Sequence, residues 1–288
     1  MWMPGRWTCA LIIVFWIFAT VRLVQRDVIP ALGVGALTYD RVLSSRAVEE
    51  PVEWDIFRDK RNVGHLFFVV HPESDGTFQL QSRANFSVEI PGLEDSDFYL
   101  SSVIDVDPLK RLRRFVVILS LSQSSTEVRV EGNVEGKELK VQMKLVIAGT
   151  EQLQREATFG VDPNAMMLDL FGQIDRLPDL RDGKTWRTRF INPMTVFLTG
   201  NLNTADGLDY IQHTVVGTEI IEWNHDIVKC YKIEHRYQRA VTYSWARPDG
   251  KVLVQEVVFS GVPFRLVAEP SLAEQIRPST PEKKNDGR

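Results

Sequence analysis

The stretch that decides the fold is Phe78-Gln79-Leu80-Gln81-Ser82-Arg83-Ala84-Asn85-Phe86-Ser87-Val88-Glu89-Ile90. Every second residue from Phe78 to Ile90 is apolar or small, and the residues between them are polar or charged. A period of two places successive side chains on opposite faces of a strand, whereas an amphipathic helix needs a period of about 3.6. The pattern predicts one long strand with a single face on a core.

The same period recurs on both sides. Leu139, Val141, Met143, Leu145 and Ile147 alternate with Glu138, Lys140, Gln142 and Lys144, after Val128, Val130 and a turn at Gly132-Asn133-Val134-Glu135-Gly136, which predicts a hairpin. Phe115 to Leu119 is apolar at every position and is expected to be a strand covered on both faces. Beyond Gly183, Trp186 to Phe190 reads as a strand closed by Ile191-Asn192-Pro193, followed by a polar loop from Gly200 to Gly207. Four strands then follow in series: Ile211 to Trp223, Ile227 to Tyr237, Ala240 to Ala246 and Lys251 to Phe259. Two of their turns fall at Asn224-His225-Asp226 and Arg247-Pro248-Asp249-Gly250, where Pro presets φ and Gly tolerates a positive φ. An antiparallel meander results.

Ala165 to Leu170 is the helix candidate in this region, entered through Asp162-Pro163-Asn164 with proline in the first turn. Its Met166 and Met167, with Leu168, Leu170 and Phe171, would plug the open end of a curved sheet. The expected fold is mainly β and antiparallel, with a short helix at Ala165 to Leu170, preceded by one N-terminal transmembrane helix.

That last element rests on Trp7 to Val21, an uncharged run extended by Leu23 and Val24 past Arg22. From Trp7 to Val24 a helix would be roughly 27 Å long, close to the hydrocarbon thickness if Arg22 snorkels to the interface. The rival reading, a cleaved signal peptide, needs a small-x-small site after the apolar core, and Ala19-Thr20-Val21 is a poor one. Arg6 on one side and Arg22 and Arg26 on the other leave the charge rule for orientation nearly balanced. The chain divides into an anchor at 1–26, a linker at 27–52, the β domain at 53–270 and a polar tail at 271–288 that buries too little apolar surface to order itself. A single pass is expected, with charge leaving its orientation open.

Over 288 residues the formal net charge is −4, which lacks the cationic excess that phosphate neutralisation requires, so no nucleic-acid partner is expected. The two cysteines, Cys9 and Cys230, offer no disulfide within the folded domain. Cys230, His225, His235 and Asp226 have the residue types of a nucleophile set, but strand alternation puts Cys230 and His235 on opposite faces, so no catalytic residues are assigned. His213, His225 and His235 lack short chelating spacing, and His65 and His71 are too far apart to chelate alone, so all are read as surface or edge histidines and no metal is expected. Neither Gly33-Val34-Gly35 nor Gly132 to Gly136 leads from a strand into a helix, and no cofactor is expected. Lys110, Arg111, Arg113 and Arg114 read as a solvated hairpin tip, and Glu94 to Asp97 as an acidic turn without a calcium-loop pattern.

Trp54-Asp55-Ile56 with Val63-Gly64, then Leu177-Pro178-Asp179-Leu180-Arg181-Asp182-Gly183-Lys184-Thr185-Trp186 leading to Asn192-Pro193, and Tyr243-Ser244-Trp245 with Asp249 to Leu253, resemble a group of bacterial cell-envelope proteins of the LolA/LolB-like, lipoprotein-carrier type. The resemblance spans about Trp54 to Ala268 and brings no catalytic motif. It implies export, a strongly curved antiparallel sheet or unclosed barrel with a short helical lid, and a hydrophobic cavity; with the apolar N-terminal run it implies a single-pass place in a bacterial inner membrane with the β domain periplasmic. The functional expectation is a non-catalytic, membrane-anchored envelope protein binding a lipid or acyl chain in the curved sheet. The candidate lining is Phe78, Leu80, Phe86, Val88, Leu139, Val141, Met143, Met166 and Met167. The alternative is a β-rich scaffold with a dry core that contacts other envelope proteins.

Overall fold

The computed structural model describes residues 15–20, 22, 37–44, 51–88, 96–162, 164–167, 171, 174–191, 209–259, 261–271 and 274. Among them fifteen strands form one sheet in the order β8-β7-β6-β5-β4-β3-β2-β1-β15-β14-β13-β12-β11-β10-β9. The first half comprises β1 (Val52–Arg58), β2 (Arg61–Pro72), β3 (Phe78–Val88), β4 (Ser96–Val106), β5 (Leu112–Leu121), β6 (Thr126–Glu135), β7 (Glu138–Ile147) and β8 (Thr150–Gly160). The second comprises β9 (Met166–Met167), β10 (Thr185–Ile191), β11 (Asp209–Trp223), β12 (Asp226–Tyr237), β13 (Ala240–Ala246), β14 (Val252–Phe259) and β15 (Val262–Ala268). The chain thus enters at mid-sheet, meanders out to one edge, restarts at the other edge and meanders back until β15 pairs with β1. The edge strands β8 and β9 are not bonded to each other, so the sheet stays unclosed.

Local sequence explains the meander. Asp59 and Lys60, and again Asn224 and His225, form two-residue turns with positive φ at both positions, the geometry whose twist matches that of the flanking strands. In β3, Leu80, Ser82, Ala84, Phe86 and Val88 are buried while Arg83, Asn85 and Ser87 are exposed, as the alternation predicts. Phe115, Val117 and Leu119 are buried, but Val116 and Ile118 are only half-buried, which corrects the expectation of a strand covered on both faces. β5 lies inside a single layer, and on its outer face Val116 stands across from Val103 and Glu131, and Ile118 from Arg129.

The inner faces of both halves feed one contiguous core, in which Phe86 packs on Phe98, Phe171, Phe259 and Phe264 at centroid distances of 5.1 to 6.0 Å. Part of the segment read as a linker belongs to that core. Leu37 and a short helix α1 (Tyr39–Ser44) bury Leu37, Tyr39, Val42 and Leu43. The Met167 N–H donates to the Tyr39 hydroxyl at 2.9 Å. This contact also corrects the helical lid. Met166 and Met167 are a two-residue strand paired parallel with Phe190 and Ile191, because β10 and Tyr39 take the backbone groups that a helix would use internally. Residues 168–170 of that expected helix lie outside the described residues.

Most of the expected anchor also lies outside the described residues; Phe15 to Thr20 are helical and exposed. Among the described residues no helix is long and apolar enough to cross a membrane. Of the tail, Glu274 is described, and it bonds Arg247 at 2.6 Å and also Lys251. Burial pushes its carboxyl up, but the bonds from Lys251, the Ser271 amide and Arg247 outweigh burial and bring it down to about 2.

Candidate functional site

A polar row crosses the inner face of the second half. Trp186 on β10 pairs in register with His213 on β11, His213 with His235 on β12, and Ser244 on β13 with Gln255 on β14. The Trp186 ring stacks on His213 at 5.0 Å and 14°. His213 Nδ1 lies 2.6 Å from His235 Nδ1, and His235 Nε2 lies 2.6 Å from Ser244 Oγ. His213 is 1% exposed, and its Nε2 is buried with no hydrogen-bond partner.

His213, His235, Ser244 and Gln255 are in the lining of a cavity of about 170 Å³. Phe171, Ile174 and Leu177 form one wall, and Phe190, Ile211 and Tyr237 are further apolar lining. The segment carrying the first three is tied to the sheet: Leu177 N–H donates to the Gly250 carbonyl and Val252 N–H to the Asp175 carbonyl, each at 2.9 Å. Gly250 is required at that crossing, since a Cβ there would stand 2.4 Å from the Leu177 oxygen. Ala240 and Val258, both exposed, sit at the rim, so the cavity meets solvent on that side.

Burial governs the electrostatics. His213 is held well below the ordinary imidazole range by desolvation and then by His235, and desolvation lowers His235 to about 4. His235 is half-buried as a residue, and its ring nitrogens are taken by His213 and Ser244. Near neutral pH the pair is therefore uncharged. No Lys or Arg is found among the described residues that line the cavity.

Ser244 beside His235, oriented by a third group, has the outline of a nucleophile with its base, though a neutral imidazole stands where a carboxylate would stabilise the developing charge. The arrangement is equally that of an apolar pocket with a few convergent polar anchors. The expectation that His213 and His235 lie at a surface or edge is corrected: cross-strand pairing draws both inward. His225 is at the turn.

Of the nine residues expected to line a ligand site, Leu80, Phe86, Val88, Leu139, Val141, Met143, Met166 and Met167 are buried in the main core and Phe78 packs half-buried against it. None of the nine lines the 170 Å³ cavity. Lys110 lies over the Phe78 ring at 3.1 Å. Leu80 and Val88 share the buried face of β3 with Phe86, and the methionines sit where β9 comes up against β5.

Cys230 is 1% exposed on the face opposite His235, among Ile221, Trp223, Trp245, Leu253 and Val254. Burial raises its thiol to about 11, which makes it a structural thiol. Arg111 at the basic tip is paired with Asp107 at 2.7 Å. Asp55 on β1, His65 on β2 and Glu269 just past β15 bring ligand-type atoms within 4.8 Å of one another, with His65 Nδ1 at 2.8 Å from Asp55. These three have the donor set to hold a divalent cation, a combination not legible from His65 and His71 alone.

No protein-family model and no curated protein matches the chain. Among solved structures it is similar to a β-barrel-like protein of the domain of unknown function DUF1849 from Brucella abortus, at 12% identity, over 78% of this chain and 97% of that one, with a TM-score of 0.44.

Proposed function

We propose that the protein is a non-catalytic binding protein of the bacterial cell envelope that holds an apolar ligand in the cavity walled by β10 to β14 and the segment at 171–177. One observation carries this reading: a mostly apolar cavity of about 170 Å³, with His213, His235 and Ser244 in its lining, opens toward solvent beside Ala240 and Val258. A few polar groups set into apolar walls orient a ligand while the walls supply contact area. The resemblance to the lipoprotein-carrier type supports an apolar ligand, and the uncharged run from Trp7 to Val21 supports an inner-membrane anchor with the β domain periplasmic.

The volume restricts what enters. An apolar cavity near 150 Å³ admits benzene, so this one accommodates a small molecule or the end of an acyl chain and not a whole lipid. This shifts the expected site away from Phe86 and its neighbours, where the protein's own rings fill the interior.

The test is native mass spectrometry of the full chain expressed in a bacterial host, before and after challenge with short-chain fatty alcohols and small aromatics. A retained adduct that is lost when Ala240→Trp narrows the rim is the expected result. An apo mass under every challenge would overturn ligand binding. It would move the reading to the scaffold, which the ring cluster around Phe86 already favours for the first half of the sheet.

A further inference from the structure

Asp55 stands on the middle strand of three. It pairs in register with His65 on β2 on one side and with Val267 on β15 on the other, and the Glu269 N–H donates to the Glu53 carbonyl at 2.8 Å where that second ladder ends. The alternate residues of the same strands, Trp54, Ile56, Leu66, Leu266 and Ala268, are buried in the core. Successive side chains of a strand point to opposite faces, so Asp55, His65 and Glu269 share the outer face of the sheet. There the atoms of these three that can ligate a metal lie within 4.8 Å of one another.

Three features set this group apart from an acidic patch. Its members come from three hydrogen-bonded strands, so the ladders fix their spacing before any ion arrives. One of them is an imidazole, whose Nδ1 stands 2.8 Å from Asp55 Oδ1, a distance at which a shared proton can give way to a metal ion. Donors around one tetrahedral ion at about 2.1 Å stand about 3.4 Å apart, so this pair would open by under about 1 Å. The third feature is a group that orients the carboxylate. The Asn62 side-chain amide donates to Asp55 Oδ1 and its carbonyl accepts from the Gly64 N–H, each at 2.9 Å, and a bulge between Ile56 and Phe57 brings Asn62 into reach. Among the described residues no lysine or arginine is ion-paired with Asp55 or Glu269, which leaves their charge for a cation.

The donors select the ion. Imidazole suits zinc, copper and nickel, whereas calcium and magnesium take about six or more oxygen donors. One nitrogen and two carboxylates fit a zinc-like divalent ion, with water in the fourth position.

We propose that Asp55, His65 and Glu269 form a zinc-class metal site, and that the bound ion staples β1 and β2 to the end of β15. The pairing of β1 with β15 is the seam where the two meanders of the chain meet, so the ion crosses that seam. An ion that binds the folded ladders better than the unfolded chain raises stability. The site is on the face opposite the core and does not depend on what the cavity holds.

The test uses the full chain, stripped with EDTA and titrated with zinc, calcium and magnesium chlorides. Bound metal is counted by native mass spectrometry and Tm is followed in parallel. The expected result is one zinc per chain and a Tm rise of several degrees that calcium and magnesium do not reproduce. His65→Ala and Glu269→Gln should each weaken zinc by about tenfold or more and abolish the rise, and Asn62→Ala should weaken it by roughly tenfold. His71→Ala, on the same face of β2, should change neither. His65 is exposed, so its replacement spares the core, and the Tm of each metal-free variant checks that it folds. No zinc retained at micromolar concentration, or equal zinc binding by wild type and His65→Ala, would overturn the site. Tighter binding of calcium than of zinc would overturn the ion class. One bound zinc with an unchanged Tm would overturn the staple.

Discussion

His213 faces His235 across β11 and β12 because β11 carries one extra residue between them and the turn. Counting outward from the Asn224-His225 turn pairs Trp223 with Asp226 and Glu219 with Cys230, and the same register continued would set His213 against Arg236. A bulge between Val215 and Gly217 absorbs one residue and moves His235 into place instead. Gly217 has φ +148°, in the region that favours glycine.

The bulge is therefore open to a direct test. Gly217→Ala meets open space at its Cβ, so any effect comes from backbone strain, of the order of 1–3 kcal/mol. The expected outcome is a lower Tm together with loss of the hydrogen-bonded His213 and His235 signals in the imidazole ¹⁵N spectrum. A variant with unchanged stability and an intact pair would show that the bulge does not depend on glycine.

Acid should destabilise the fold in a defined window. Both imidazoles titrate lower in the folded protein than the ordinary 6.5, His235 at about 4, so between those values the unfolded chain binds more protons than the folded one. Stability is then full above about pH 6.5 and falls as the pH drops toward 4, by about 1.4 kcal/mol per pH unit for each proton taken up. Glu274, lowered to about 2, loses its contribution only below the ordinary carboxyl value of 4.5, outside this range. Denaturant titrations at pH 7.5, 6.0 and 5.0 should show the slope, and His235→Gln should flatten it. A pH-independent midpoint above pH 5 would contradict neutral burial.

Tyr39 fastens the segment before β1 to the edge strand β9. Replacing it by phenylalanine keeps the ring but leaves the Met167 N–H without the hydroxyl it donates to, at a cost of about 1–3 kcal/mol. Chemical denaturation of Tyr39→Phe should register that loss with an unchanged m-value. No change would mean that the contact is dispensable.

Cys230 should be inert. With its thiol raised to about 11, only about one molecule in a thousand carries the thiolate at pH 8, and the side chain is buried besides. In a Cys9→Ser background, iodoacetamide should modify Cys230 only after denaturation. Rapid alkylation of the native protein would contradict the packing of the cluster around Trp223 and Trp245.

Ser244 bears on the non-catalytic proposal. It is 2% exposed, and the group behind His235 is a neutral imidazole, so a fluorophosphonate probe should leave it unlabelled. Labelling abolished by His235→Gln would replace the binding proposal with a hydrolase.

Much of the architecture was legible because it depends on local pattern. The alternation in β3 and β7, the turn residues at Asn224 and at Pro248 to Gly250, and the bounds of β13 all follow from period and turn chemistry that neighbouring residues carry themselves. The opposite faces of Cys230 and His235 follow from the same count. Less could be read where a distant partner decides. Met166 and Met167 sit behind a good helix-start signal, yet β10 and Tyr39 hold them extended. Val116 and Ile118 are as apolar as their neighbours, and only the single-layer sheet leaves them half-covered.

The sequence by itself determined a mostly β chain with one-sided strands and tight antiparallel turns, since each strand states its own inward face. Tertiary structure alone decided that β15 returns to β1, that Leu37, Tyr39, Val42 and Leu43 join the core, and that His213 and His235 come together beside a cavity. The reason is register. The His213 and His235 pairing depends on one bulged residue, and a shift of a single position in a strand exchanges every neighbour it has across the sheet.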